Sequence, residues 1–124
     1  MDQLKVLIVD DNKAQGEGLA ELLQIKGLAT FHAATGTEGM QLAIQNSVDA
    51  VLLDIHLPDM SGLEVCRLLR KEPATANIAV IFHSGSSGPL YHQGDAFLTY
   101  PVSFSELVTV IQGCVARRRA AVPA

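Results

Sequence analysis

Val6-Leu7-Ile8-Val9-Asp10-Asp11 and Val51-Leu52-Leu53-Asp54 are the stretches whose reading decides the fold. Each is a short apolar run that ends abruptly in carboxylates. Continuous apolar character over a few residues marks a strand buried on both faces, as in parallel sheets. Two such strands in one parallel sheet end on the same edge. Asp10, Asp11 and Asp54 would then converge where open α/β sheets bind ligands. Clustered carboxylates repel one another and raise one another's pKa, so such a group usually holds a cation. Oxygen-only ligands favour Mg²⁺ or another hard ion over zinc. The competing reading, that the three aspartates merely end strands in turns, serves for one Asp but poorly for the constellation.

Composition agrees with one globular domain spanning residues 1–124, of which 48% are hydrophobic. No apolar run approaches the roughly 18 residues of a membrane span. Met1-Asp2-Gln3-Leu4-Lys5 lacks the basic and long apolar regions of a signal peptide, so a cytoplasmic location is expected, with no membrane partner. Cys66 and Cys114 stand apart inside apolar helical patterns and read as reduced core residues. A net charge of −4 offers no general attraction to nucleic acid. The local exception, Arg117-Arg118-Arg119, reads as the solvated end of the last helix, where cations complement the macrodipole.

Strands and helices alternate along the chain without repeats or a low-complexity linker. Asn12 can cap a helix carrying Leu19, Leu22, Leu23 and Ile25 and ended by Gly27. Leu28 to Ala33 is a second strand. Thr35 with Glu38 has capping-box spacing and opens a helix with Met40, Ala43 and Ile44 on its apolar face. Val48 to Asp54 is the third strand. Ser61 with Glu64 repeats the spacing and opens a helix bearing Leu63, Cys66, Leu68 and Leu69. Ile78 to Phe82 and Ala96 to Thr99 complete the strands. Ser103 with Glu106 opens a last helix with Leu107, Val110, Ile111 and Cys114 at core spacing. This order implies a parallel sheet with right-handed crossovers and helices on both faces.

Val9-Asp10-Asp11-Asn12 and Asp54-Ile55-His56-Leu57-Pro58-Asp59-Met60-Ser61-Gly62 resemble the receiver domain of two-component response regulators, in order and spacing over essentially the whole chain. The resemblance implies a flavodoxin-like doubly wound sheet, strand order 2-1-3-4-5. It implies that Asp54 is the phosphoacceptor, whose carboxylate attacks the phosphorus of a phosphohistidine or a small phosphodonor. A carboxylate is a weak nucleophile, so positioning and charge neutralisation must do most of the work. By the same resemblance Asp11 is the direct Mg²⁺ ligand, Asp10 holds the ion through water, and the His56 backbone carbonyl is a further ligand. The His56 side chain reads as an exposed loop group. Ser84 matches the hydroxyl that contacts the phosphoryl group, and Phe97 the aromatic that turns inward with it. The implied partners are a histidine kinase or histidine phosphotransfer protein, with a homodimer or effector protein as possible output.

Two departures stand out. Where the family has Lys before the Pro of the last loop, this chain has Tyr100-Pro101. A phenol donates one hydrogen bond but supplies no unit charge, and Tyr100 can also point away and leave the position vacant. Secondly, Ser84-Gly85-Ser86-Ser87-Gly88-Pro89, with Gly94 soon after, is rich in turn formers. The family's fourth helix is therefore expected to be short, frayed or missing, which puts output through that surface in doubt.

Three functions remain open. The chain is a phosphorylatable receiver, a pseudo-receiver acting as a phosphorylation-independent binding module, or another Mg²⁺-dependent α/β enzyme such as a phosphatase. A receiver is not a turnover enzyme on an external substrate. Ala120-Ala121-Val122-Pro123-Ala124, after the last helix, shows no DNA-binding pattern, and both a stand-alone receiver and a piece of a hybrid kinase or larger regulator are compatible with it.

Overall fold

The computed structural model describes residues 3–89 and 91–121. The elements run β1 (Lys5–Val9), α1 (Lys13–Ile25), β2 (Ala29–Ala33), α2 (Gly36–Asn46), β3 (Ala50–Leu53), α3 (Gly62–Lys71), β4 (Ala79–Ser84), β5 (Ala96–Thr99) and α4 (Phe104–Ala121). The strands form one sheet of order β2-β1-β3-β4-β5, all neighbours parallel. The central strands are the apolar runs, and from Val6 to Val9, Ala50 to Leu53 and Ala79 to Ser84 every residue is buried.

Side chains alternate between the two faces, as the strand period requires. Val6, Ile8, Leu52 and Ile81 pack with Leu23 of α1 and with Leu107, Ile111 and Cys114 of α4. Leu7, Val9, Leu53 and Phe82 pack with Ala43 of α2 and with Val65, Cys66 and Leu69 of α3. Cys66 and Cys114 are free and buried, on opposite faces of the sheet. Val65, which the periodicity did not single out, is fully buried, whereas Leu68 is only half-buried.

The caps form where side-chain acceptors precede apolar stretches. Asn12 Oδ1 accepts from Gln15 N at 3.0 Å, Thr35 Oγ1 from Glu38 N at 3.1 Å, and Ser103 Oγ from Glu106 N at 3.1 Å. Ser61 accepts one residue earlier than a capping box requires, from Leu63 N at 3.1 Å. Glu64 turns to the nearby Arg67 guanidinium instead of reaching back. Gly27, past the end of α1, has φ 91°, a left-handed conformation that costs glycine least.

Strand limits differ modestly from the sequence reading. Leu28 N still bonds to Leu23 O, so β2 begins at Ala29. Within the expected Val48 to Asp54, the ladder of β3 is confined to Ala50–Leu53. Strand β4 runs two residues beyond Phe82, because His83 and Ser84 pair with Leu98 and Thr99 despite being polar.

The arginine run is not simply a solvated helix end. Arg118 Nε donates to Asp95 Oδ1 at 2.8 Å, and Arg119 Nη2 donates to Asp49 Oδ1 at 3.1 Å. Asp95 also receives Arg70 Nη2 at 3.0 Å and Val80 N at 2.8 Å. Arg70 further donates to the carbonyl oxygens of Ile78, Ala76 and Gln93 at 2.6, 3.1 and 3.0 Å. This fork pins the β4–β5 connection, which contains no helix among the described residues 85–89 and 91–95. In the helix's place, Gly88 lies against the Phe97 ring, and His92 meets Phe82 edge-on at 5.2 Å between centroids.

The β3–α3 turn is tied to α2. Asp59 accepts from Gly36 N at 2.8 Å, Thr37 N at 2.9 Å and Thr37 Oγ1 at 2.7 Å, satisfying donors that α2 leaves free at its first turn. These bonds hold the Asp59 carboxyl down at about 2, from the usual 3.8. A depressed folded-state pKa adds stability above the unfolded value, and that increment is lost as pH falls through the folded one. Asp59→Asn is therefore expected to be less stable than the parent in urea unfolding at pH 7. The difference should close between about pH 4 and about 2. An equal deficit at both ends of that range would show that the carboxylate charge is not what the turn uses.

Candidate functional site: a carboxylate cluster at the strand ends

Val9 is in register with Leu53, so Asp10 and Asp54 follow it on adjacent strands at the same edge. The backbone stays paired past the strands, with Asp54 N donating to Val9 O and Asp10 N to Ala33 O, each at 3.0 Å. Asp10 and Asp54 are buried, while Asp11 is exposed at the rim. Carboxylate oxygens of all three lie within 4.8 Å of one another.

Asp10 Oδ1 accepts from Asn12 N at 2.8 Å, and Asp54 Oδ1 accepts from His56 N at 3.3 Å. Burial, the largest influence, pushes Asp10 above the usual carboxylate range. The bond from Asn12 N opposes that shift, while repulsion from Asp54 and Asp11 adds to it. His32 Nε2 lies 2.9 Å from the Asp10 carbonyl oxygen, an acceptor only, so that nitrogen carries the proton. The donor set is all oxygen, with repelling charges part-shielded from water, and it fits a hard divalent cation such as Mg²⁺.

The other expected residues surround this cluster. His56 sits in the turn after β3 with its backbone N on Asp54, so its carbonyl belongs to the same turn. Its ring is exposed but not idle, with Nε2 3.2 Å from Ser86 Oγ across the mouth of the site. Ser84 is fully buried at the end of β4, and Ser86 N donates weakly to its Oγ at 3.5 Å. Phe97 is half-buried, stacked on Phe82 at 5.6 Å and flanked by His92 at 5.8 Å.

Tyr100 does not point away. Its N donates to Ser84 O at 2.9 Å, and its ring lies over Gly85, where a Cβ would come within 2.9 Å of the phenyl edge. Burial and the nearby Asp54 charge push the phenol pKa up, and the Gln15 side chain and Gly85 backbone stand beside its hydroxyl. Its ring centroid is 4.7 Å from that of His83. Burial holds His83 below the usual imidazole value, partly offset by Asp54. Sequence reading missed His83, Gln15, Gly85 and Ser86. The one available signal was a histidine at the end of an otherwise apolar strand.

Alongside lies a groove of about 380 Å³, lined by Gln15, Leu19, Leu22, His83, Tyr100, Pro101, Val102, Phe104 and Leu107. Among the described residues, no helix is long and apolar enough to cross a membrane.

The sequence matches the family described as "Response regulator receiver domain" over residues 6–112. It is 33% identical over 97 residues to the nitrate/nitrite response regulator protein homolog of Haemophilus influenzae, covering 77% of this chain and 47% of that protein. It is 32% identical over 118 residues to response regulator MprA of a Mycobacterium species, covering 92% of this chain and 51% of that one. The chain thus spans about half the length of these curated relatives. The structure resembles the CheY-like response regulator receiver domain protein of Methanospirillum hungatei, with a TM-score of 0.89 and 25% identity, covering 98% of this chain and 100% of that one.

Replacing Asp11 with Asn is expected to weaken Mg²⁺ or Mn²⁺ binding about tenfold or more by calorimetric titration. In metal-free buffer the same variant should melt at an equal or slightly higher temperature, since one repelling charge is gone. Unchanged metal affinity would remove Asp11 from the ligand set.

Proposed function

The chain belongs to the response regulator receiver domain family, and from that premise we propose that it accepts a phosphoryl group on Asp54 from a histidine kinase or histidine phosphotransfer protein. The observation that carries the reading is the convergence of Asp10, Asp11 and Asp54 within 4.8 Å at the strand edge. An Asp54 oxygen forms the new O–P bond as the N–P bond of the phosphohistidine breaks, and the imidazole leaves with the electron pair. A divalent cation held by Asp11 and Asp54, with Asp10 and the His56 carbonyl beside them, would neutralise the phosphoryl oxygens. Ser84 offers its hydroxyl to the phosphoryl group, and Phe97 rearranges with it. Tyr100 stands where the family has a cation, and its phenol donates one hydrogen bond without adding charge.

The domain carries out its own phosphorylation and dephosphorylation and turns over no external substrate. Its place is the cytoplasm, where a kinase's catalytic domain can reach it. The groove beside Tyr100, with Leu19, Leu22 and Phe104, is the docking face for the phosphohistidine-bearing helix. The lack of a helix among the described residues between β4 and β5 favours a second reading, a pseudo-receiver that binds partners irrespective of phosphorylation.

Acetyl phosphate with Mg²⁺ should add the mass of one phosphoryl group to the parent and none to Asp54→Asn. No adduct on the parent would favour the pseudo-receiver, and rapid turnover of an external phosphoester would favour an enzyme. Tyr100→Lys should label about tenfold faster or more, because a charge-assisted contact contributes roughly 1.5–3 kcal/mol. An equal or slower rate would mean that the missing cation does not limit the reaction.

A further inference from the structure

The groove beside the acceptor holds no lysine, arginine or carboxylate among its lining residues. Its polar lining is Gln15 and two rings, Tyr100 and His83, with centroids 4.7 Å apart and planes inclined by 54°. His83 is 6% exposed, fixed in β4 by its ladder partner Leu98. Tyr100 is half-buried and forms part of the groove wall. Only glycine at position 85 leaves room for this placement, since a Cβ there would meet the Tyr100 ring at 2.9 to 3.3 Å.

We infer that Tyr100, backed by His83 and seated by Gly85, selects the phosphodonor. The two rings form an aromatic shelf for an N-phosphorylated imidazole, favouring it over acyl phosphates and phosphoramidate. This rests on the reading of Asp54 as phosphoacceptor.

Acyl phosphates and phosphoramidate carry no ring and depend on charge to be held. The site has exchanged its expected cation for a neutral phenol, which removes part of that attraction. An imidazole donor retains a hold that the small anions lack, because its ring can stack or meet edge-on with Tyr100. In the transfer, Asp54 forms the O–P bond while the N–P bond breaks. A donor protonated on its second ring nitrogen departs as neutral imidazole. An aromatic contact of this kind changes a rate by about two- to tenfold.

The experiment compares initial rates of Asp54 labelling by phosphoimidazole and by phosphoramidate at fixed Mg²⁺. The proteins are the parent, Tyr100→Phe, Tyr100→Leu and Gly85→Ala, each checked by circular dichroism. The ratio of the two rates is the readout, because a merely structural loss slows both donors alike. Tyr100→Phe should keep the parent's ratio. Tyr100→Leu should lower it by about two- to tenfold, and Gly85→Ala should lower it as well by displacing the ring. A parental ratio in both Tyr100→Leu and Gly85→Ala overturns the shelf while leaving the phosphoacceptor reading intact. Absence of label on the parent with either donor overturns both.

Discussion

Repulsion among Asp10, Asp11 and Asp54 is the constraint around which the rest of the structure is arranged. Three carboxylates within 4.8 Å do not gather unless something holds them there. The holding force is the parallel register of β1 and β3, whose fully buried side chains cannot slip without turning their faces over. Backbone donors relieve part of the charge, Asn12 N on Asp10 and His56 N on Asp54. These local bonds do not cancel the burial of Asp10, whose proton is held more tightly than usual. The cluster therefore stores unfavourable energy that a hard cation would relieve. Core packing supplies the rigidity, and the strand-end edge concentrates the charge.

The opposite flank of the sheet solves a different problem. With no helix among the described residues between β4 and β5, one face of Phe82 and Phe97 needs another cover, and the connection provides it with backbone at Gly88 and Gly94 and with the His92 ring. An irregular segment on a sheet face leaves polar backbone to be satisfied. Arg70 answers on the Gln93 carbonyl and Asp95, its other bonds holding the Ala76 and Ile78 carbonyls ahead of β4, and Arg118 completes the pair on Asp95 from α4. The planar, permanently charged fork suits this better than a lysine could. Much of the loop's order thus depends on side chains from α3 and α4.

These two flanks differed in how far they could be read in advance. Periodicity and caps are local signals, and the apolar runs of β1 and β3 with their terminal aspartates led to the parallel sheet and the carboxylate cluster, while the strand order followed from the family resemblance. The turn-rich stretch after Ser84 likewise pointed to a short, frayed or missing helix, and none is found among the described residues there. What escaped depends on long-range geometry. Arg118 and Arg119 looked like a solvated helix end because Asp95 and Asp49 lie far away in sequence. His83 fell just past the strand expected to end at Phe82, and its proximity to Tyr100 exists only once β4 and β5 are paired. Asp59 carried no sign that it would serve a helix more than twenty residues upstream. Polar residues whose partners are set by topology are the least legible class.

The two departures from the family pattern are parts of one packing solution. Tyr100 is bulkier than the position's usual flexible chain, and it lies flat over the end of β4 only because residue 85 lacks a Cβ. Glycine at 85, followed by Ser86, Ser87, Gly88 and Pro89, makes a poor start for a helix, since each glycine costs about 1 kcal/mol relative to alanine within one. The residue that admits the aromatic ring thus also discourages the helix that would otherwise follow. The connection then lies close to the sheet, Gly88 fitting against Phe97 as Gly85 fits beneath Tyr100. Restoring a lysine at position 100 would vacate the space over Gly85 without supplying a helix-forming sequence beyond it. Chemistry at Asp54 and the shape of the β4–β5 surface are therefore separable by substitution, although both trace to the same strand end.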